Sequence, residues 1–195
     1  MRIIAGTKRG MKLLSPNTQK SRPITDRVKE SLFSVLYKYD LPGGAIVADL
    51  FCGVGSLGLE ALSRGAEFVT FVEKDPKTAA IMGKNIEKAD FIGKSRVVRT
   101  DAFKAAPMFG SGEEDYGLVF VDPPYAATMN VEADSPLSGL LDLWVDQVAA
   151  GGIVVVRTSR DVILPDRYGP FRAAERREWG TMAVTILVKT RWNNT

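Results

Sequence analysis

The chain contains no histidine and a single cysteine, Cys52. Without histidine there is no imidazole acid–base catalysis, no Ser-His or Cys-His nucleophile pair and no histidine-rich metal site. One thiol excludes an intramolecular disulfide and any multi-cysteine metal site. The simplest expectation for Cys52 is a small buried loop residue. No run approaches the roughly 20 apolar residues of a membrane span, and no leader-like segment heads the chain. A cytoplasmic location is the expectation. There is no internal repeat and no low-complexity tract.

What is present suits one domain with a small appendage. The chain has 195 residues, 45% of them hydrophobic, enough for a full core. The net charge of +3 hides an asymmetry. Residues 1–39 hold nine Lys or Arg and two acids, a net of +7, whereas the remainder holds 17 basic and 21 acidic residues, a net of −4. A basic arm on an acidic body points to a polyanionic partner.

Two motifs carry the chemistry. The first is Asp122-Pro123-Pro124-Tyr125, behind the apolar run Leu118 to Val121. A carboxylate and a fixed carbonyl can both accept from one planar amine. The prolines stiffen the turn, and the tyrosine offers a stacking face. Alone, the string also fits an ordinary strand-to-loop turn. The second is Asp49-Leu50-Phe51-Cys52-Gly53-Val54-Gly55-Ser56-Leu57-Gly58, between the apolar run Ala45 to Ala48 and a helix ending near Gly65. Strand, glycine-rich turn and helix form the nucleotide-binding half of a doubly wound sheet. Glu73 closes the next run, Phe68 to Val72, where an acid can accept from both ribose hydroxyls. Glycine spacing alone does not choose among NAD, FAD and S-adenosylmethionine. Asp49 does better: a carboxylate ahead of the glycines repels a pyrophosphate and suits a ligand bearing a sulfonium and an ammonium.

The rest of the chain supports an α/β reading. Arg2 to Gly6 and Met11 to Leu14 flank Thr7-Lys8-Arg9-Gly10, a small hairpin with a basic tip. Residues 15–23 read as a linker. A helix is expected from Thr25 to about Tyr39, with Val28, Leu32, Val35, Leu36 and Tyr39 as its apolar stripe. Asp75-Pro76 starts another helix, with Ala79, Met82, Ile86 and Ala89 inward. Arg96 to Arg99 is a strand ending at Thr100-Asp101-Ala102. Asp101 is either an adenine-amine acceptor or a helix cap for the segment after it. Residues 110–116 read as an acidic connector and 126–134 as a mobile polar lid. Ser135-Pro136 opens a helix with Leu137, Leu140, Leu141, Trp144 and Val148 in the core. Gly152 to Val156 is a fifth strand, and Arg172–Glu178 and Met182–Lys189 form a closing antiparallel hairpin across Trp179-Gly180-Thr181.

With these motifs the chain resembles class I S-adenosylmethionine-dependent methyltransferases. More narrowly it resembles the RsmD family, which methylates N2 of a guanine in 16S ribosomal RNA. The likeness covers essentially the whole chain. Its most specific parts are Arg2-Ile3-Ile4-Ala5-Gly6 and Arg22-Pro23-Ile24-Thr25-Asp26-Arg27-Val28-Lys29-Glu30-Ser31-Leu32-Phe33. Two departures stand out: Ile24 separates Pro23 from Thr25, and Ser34 stands where the family commonly has Asn. No role is assigned to Ser34.

The resemblance implies a Rossmann-like α/β fold, a seven-stranded mostly parallel sheet with an antiparallel last strand. Residues 1–24 would form a basic RNA-binding extension and residues 25–195 the methyltransferase domain. Asp49, Gly53, Gly55, Glu73 and Asp101, with Ala102 beside it, would bind S-adenosylmethionine, which leaves as S-adenosylhomocysteine. Asp122, Pro123 and Tyr125 would hold the target base. Arg2, Lys8, Arg9, Lys12, Arg22, Thr25 and Arg27 would meet RNA. The partner would be ribosomal RNA or a small-subunit assembly intermediate, and the protein a monomer with no metal.

Other readings remain at this point. The same turn serves N6 of adenine, N4 of cytosine or a protein glutamine amide, though the basic arm disfavours a protein substrate. Pyrimidine C5 methylation needs a cysteine near the base, and Cys52 sits in the glycine turn instead. A non-catalytic RNA-binding assembly factor would not need Asp49, Glu73 and Asp122 together. An NAD-dependent oxidoreductase would lack histidine for proton transfer.

Overall fold

The computed structural model describes residues 1–16, 24–104 and 115–190. They fall into two compact units, Met1–Thr100 and Asp101–Thr195. In the first, α1 spans Asp26–Leu36, with a 3-10 turn at Tyr37–Tyr39. Thr25 caps α1, its hydroxyl accepting from Val28 N. Val28, Leu32, Val35 and Leu36 are buried, as their spacing predicts. Strands β1 (Ile46–Leu50), β2 (Phe68–Val72) and β3 (Ser95–Val98) lie parallel in the order β3-β2-β1. Helices α2 (Ser56–Ser63) and α3 (Pro76–Ala89) connect them. The α3 start is capped by Asp75, which accepts from Thr78 N at 2.7 Å.

Register fixes what the loops can do. Leu50 lies opposite Val72. The glycine turn after β1 and Glu73 after β2 therefore leave the sheet together at the C-terminal ends of the parallel strands. Every residue of α2 is buried, including Glu60. At Gly58 an added Cβ would sit 2.4 Å from the Phe71 ring, so only glycine lets the helix lie so close to β2.

In the second unit, β4 spans Tyr116–Val121, α4 Pro136–Trp144, β5 Val148–Ser159, β6 Arg167–Tyr168, β7 Phe171–Trp179 and β8 Met182–Lys189. The strand order is β4-β5-β8-β7-β6. Strands β4 and β5 are parallel, and the β5–β8, β8–β7 and β7–β6 pairs are antiparallel. Ser135 caps α4 by accepting from Ser138 N. Trp144 is a core residue, 5.4 Å from the Tyr116 ring centroid.

Five expectations need correction. Val148 is no part of the helix that Ser135 caps, since α4 ends at Trp144 and Val148 opens β5, four residues ahead of the expected strand start at Gly152. The described residues form eight strands rather than seven. The extra one, β6, has two residues, too few to show a period in sequence. The acidic connector falls mostly within residues 105–114, outside the described residues; Tyr116 is no part of it, since it opens β4 and is fully buried. The N-terminal hairpin has a single isolated bridge, Arg2 to Lys12, instead of two strands. Finally, residues 126–134 are not a plain polar loop. A 3-10 turn at Tyr125–Thr128 leads into them, Thr128 and Val131 are buried, and the Tyr168 hydroxyl donates to Val131 O at 2.5 Å.

Candidate active site

The first unit assembles the glycine turn. Phe51, Gly53 and Gly55 have φ of 60°, 56° and 85°, so the chain doubles back sharply before α2. Gly53 N donates to Glu73 Oε2 at 3.0 Å and Asp75 N to Glu73 Oε1 at 2.8 Å. Two backbone donors thus aim the Glu73 carboxylate, which remains half-buried and accessible. Asp49 is 1% exposed and accepts from Gly58 N at 2.8 Å, bracing the first turn of α2. A Cβ at Gly53 would meet nothing within 4 Å, so that face of the turn is open. Cys52 is buried, and burial pushes its thiol well up, leaving it unreactive.

The hairpin is locked to α2. Thr7 N donates to Ser63 O at 2.8 Å, Lys8 N donates to Ser63 Oγ at 2.9 Å, and Ser63 Oγ donates to Ala5 O at 2.6 Å. Gly6 has φ +78°, and a Cβ there would lie 1.7 Å from Ser63 O. Beneath it lies a charged cluster. Glu60 accepts from Ile4 N and Ala5 N at 2.8 and 3.0 Å and pairs with Lys29 at 3.2 Å and Arg64 at 2.8 Å. Lys29 Nζ also donates to Arg2 O at 2.6 Å and Ser56 Oγ at 3.2 Å. One buried ammonium therefore ties the hairpin to the start of α2. Burial holds its pKa below the usual lysine value, with Glu60 opposing.

Among the residues expected to meet RNA, Arg9, Lys12 and Arg27 are exposed. Arg2 is exposed but engaged, 2.7 Å from Asp26. Lys8 is half-buried, its ammonium 5.6 Å from the Phe91 ring centroid. The hydroxyl of Thr25 is taken up by capping. Arg22 lies outside the described residues.

The second unit carries the other motif. Asp122 follows β4, with Pro123 buried and Tyr125 half-exposed at the 3-10 turn. The Asp122 side chain is 20% exposed and pairs with Arg157 at 2.5 Å. Burial raises the Asp122 carboxyl to about 6, against the opposing charge of Arg157. Asp101 accepts from Phe103 N at 3.2 Å, and Lys104 N donates to Asp101 O at 2.9 Å, so this acid caps a local turn. Ala102 beside it is 3% exposed.

Sequence reasoning missed Lys29, Glu60, Arg64 and Arg157. A signal existed for two of them. Glu60 is the one charge within the otherwise apolar stretch Leu57 to Leu62, and Arg157 follows Ile153 to Val156 directly.

The chain matches over residues 1–188 the profile of a family described as Conserved hypothetical protein 95. It is 36% identical over 177 residues to Ribosomal RNA small subunit methyltransferase D of Haemophilus influenzae, covering 86% of this chain and 84% of that one. It is 33% identical over 192 residues to a Bacillus subtilis protein named "Putative rRNA methyltransferase YlbH", covering 97% and 99% of the two chains. Among solved structures, "Putative methyltransferase yhhF" of Escherichia coli superimposes with a TM-score of 0.80 at 30% identity, covering 97% of this chain and 98% of that one. Fold similarity also extends to an RNA methyltransferase of Salinibacter ruber in complex with S-adenosylhomocysteine, at a TM-score of 0.62 and 16% identity, over 87% and 95% of the two chains.

Proposed function

The chain belongs to the RsmD family of methyltransferases, and from that membership we propose that it transfers a methyl group from S-adenosylmethionine to the exocyclic N2 amine of a guanine in 16S ribosomal RNA. The observation that carries the chemistry is the paired carboxylate at the Asp-Pro-Pro-Tyr turn. It is sheltered, with the Arg157 cation already in ion-pair contact.

The glycine turn fits the cofactor. Glu73 is aimed by two backbone donors and suits a ribose diol. The open face at Gly53 admits a ligand against backbone, Gly55 completes the turn, and Asp49 beneath it lends negative potential toward a cationic ligand. Asp101 and Ala102 serve the adenine. When bound, S-adenosylmethionine supplies an electrophilic methyl carried on a sulfonium.

The chain's own residues do the rest. An exocyclic guanine amine is a poor nucleophile, because its lone pair is delocalised into the ring. Asp122 and the Pro123 carbonyl accept its two N–H groups and fix its direction, and such orientation supplies several kcal/mol. Positive charge developing on nitrogen is stabilised by the Asp122 carboxylate. Tyr125 stacks on the extruded base and offsets part of the unstacking cost of a few kcal/mol. Residues 1–24 act as an RNA-binding extension of the domain 25–195, with Arg9, Lys12 and Arg27 on phosphates, Arg2 and Lys8 shaping the grip, and Arg22 and Thr25 also assigned to RNA. The protein works as a cytoplasmic monomer on ribosomal RNA or a small-subunit intermediate. No helix of the described residues is long and apolar enough to cross a membrane.

The test is methyl transfer by purified protein to 16S ribosomal RNA, to small subunits, to duplex DNA and to ribosomal protein, with labelled cofactor. Label in guanine N2 of RNA supports the reading. Label in adenine, cytosine or protein, or none in any substrate, overturns it.

A further inference from the structure

The strand register makes Asp122 and Arg157 neighbours. Val121 of β4 lies beside Val156 of β5 in a parallel pair, so the next residue of each strand comes to the same place. Arg157 Nε lies 2.5 Å from Asp122 Oδ1, with 13% and 20% of the two side chains exposed. Ile153 to Val156, ahead of Arg157, is wholly apolar and buried. A cation at the end of such a run is costly unless it is paired. A turn that merely reversed the chain would not require one.

We infer that Arg157 is the positioning residue for Asp122: it occupies Oδ1, leaves Oδ2 to accept from the incoming amine, and keeps the carboxyl in its acceptor-only form. This rests on the reading that Asp122 receives the amine. The consequence is specificity. A carboxylate accepts from an NH2 group, whereas a protonated carboxyl would donate and pair with a carbonyl or a bare ring nitrogen. Arg157 therefore sets which base edge the turn can hold.

The consequence for pH has a definite sign. Burial pushes the Asp122 carboxyl up to about 6, and Arg157 is the charged group that opposes it. Removing the guanidinium charge leaves burial unopposed, so the carboxyl protonates at higher pH. An opposite charge this close is worth about 1–3 pH units.

The experiment compares pH–rate profiles of the wild type, Arg157→Gln, Arg157→Lys, Asp122→Asn and Asp122→Ala at saturating RNA and S-adenosylmethionine. Circular dichroism and cofactor affinity are measured for each. The wild type should lose activity below pH about 6. In Arg157→Gln that limb should move alkaline by about one unit or more. Its kcat at neutral pH should fall about twofold for a one-unit move and about tenfold for a two-unit move, recovering as pH rises, with cofactor affinity unchanged. Arg157→Lys keeps the charge without the fork, so its limb should stay near the wild-type position while kcat drops. Asp122→Asn has no carboxyl and should show no such limb.

The inference is overturned if Arg157→Gln keeps the wild-type limb and kcat while Asp122→Ala is inactive. It is equally overturned if the limb persists in Asp122→Asn. Where Arg157→Gln does not fold, wild-type kcat in Arg157→Lys overturns it. Full activity in Asp122→Ala is a different result: it removes the role of Asp122 itself, on which the inference rests.

Discussion

At the scale of single residues, each unit carries candidate carboxylates whose partners within that unit decide their roles. Asp122 is paired with a cation, Glu73 is held by backbone donors, and Asp49 is spent on a helix start. Asp122→Ala should abolish methyl transfer and leave cofactor affinity nearly intact. It also strands Arg157, and breaking such a pair costs about 3–5 kcal/mol, so turnover has to be read on protein checked for folding. Asp122→Asn is the milder change, because its amide oxygen still accepts one bond. Near-normal turnover in folded Asp122→Ala contradicts the assignment. Glu73→Ala should weaken S-adenosylmethionine binding by about 2–4 kcal/mol, from lost charge-assisted hydrogen bonds. It also releases Gly53 N and Asp75 N, which loosens the turn itself. Calorimetry checks this, and an unchanged dissociation constant would reduce Glu73 to a brace for the loop.

The acids were legible in sequence because Glu73 and Asp122 each follow an apolar strand and Asp49 interrupts one, where a charge is conspicuous. Arg157 was visible in the same way, but its partner was not, since pairing depends on the β4–β5 register. Lys29 was hidden because a lysine on an amphipathic helix ordinarily lies in water. Only the arrival of Arg2 O and Glu60 from other elements makes its burial intelligible.

At the scale of elements, the hairpin and α2 behave as one body. Gly6 is the joint: any side chain there meets Ser63 O and strains a φ of +78°. Gly6→Ala should destabilise the protein by more than about 2 kcal/mol or detach the hairpin. A melting temperature and an RNA affinity both equal to wild type would contradict that. The basic tip reads differently once the hairpin is seen. Lys8 packs on Phe91, so its replacement mixes stability with charge. Arg9, Lys12 and Arg27 are the accessible set. Replacing those three with alanine should lower the slope of log RNA affinity against log salt by about two to three units and leave cofactor binding unchanged. Coincident slopes would make the basic run a solvated face. The element boundaries were largely readable from caps and apolar runs, as at Asp75 and Ser135. The two-residue β6 and the anchored stretch around Val131 were not, because their order comes from Tyr168 and neighbouring strands.

At the scale of the whole molecule, buried charge sets how stability varies with pH. The Asp122 carboxyl lies near 6 in the folded chain, above its ordinary value of 3.8. Its contribution to stability is therefore fully present below about 3.8 and is lost as pH rises through about 6. Asp122→Asn lacks that dependence. The melting temperature of the wild type should fall relative to Asp122→Asn between about pH 4 and 6; a constant difference would contradict the raised pKa. Glu60→Ala should cost about 3–5 kcal/mol, because it leaves Lys29 buried without its carboxylate. Chemical denaturation measures this, and a loss under about 1 kcal/mol would mean the cluster is solvated.

The central claim is chemical, and one measurement reaches it most directly. Ribosomal RNA from a strain lacking this gene is digested to nucleosides, analysed by mass spectrometry and compared with RNA from the same strain carrying the gene or its Asp122→Ala form. The account predicts that one N2-methylguanosine disappears from 16S RNA, returns with the intact gene and does not return with Asp122→Ala. An unchanged N2-methylguanosine content, or loss of a methylated adenine or cytosine instead, would contradict it.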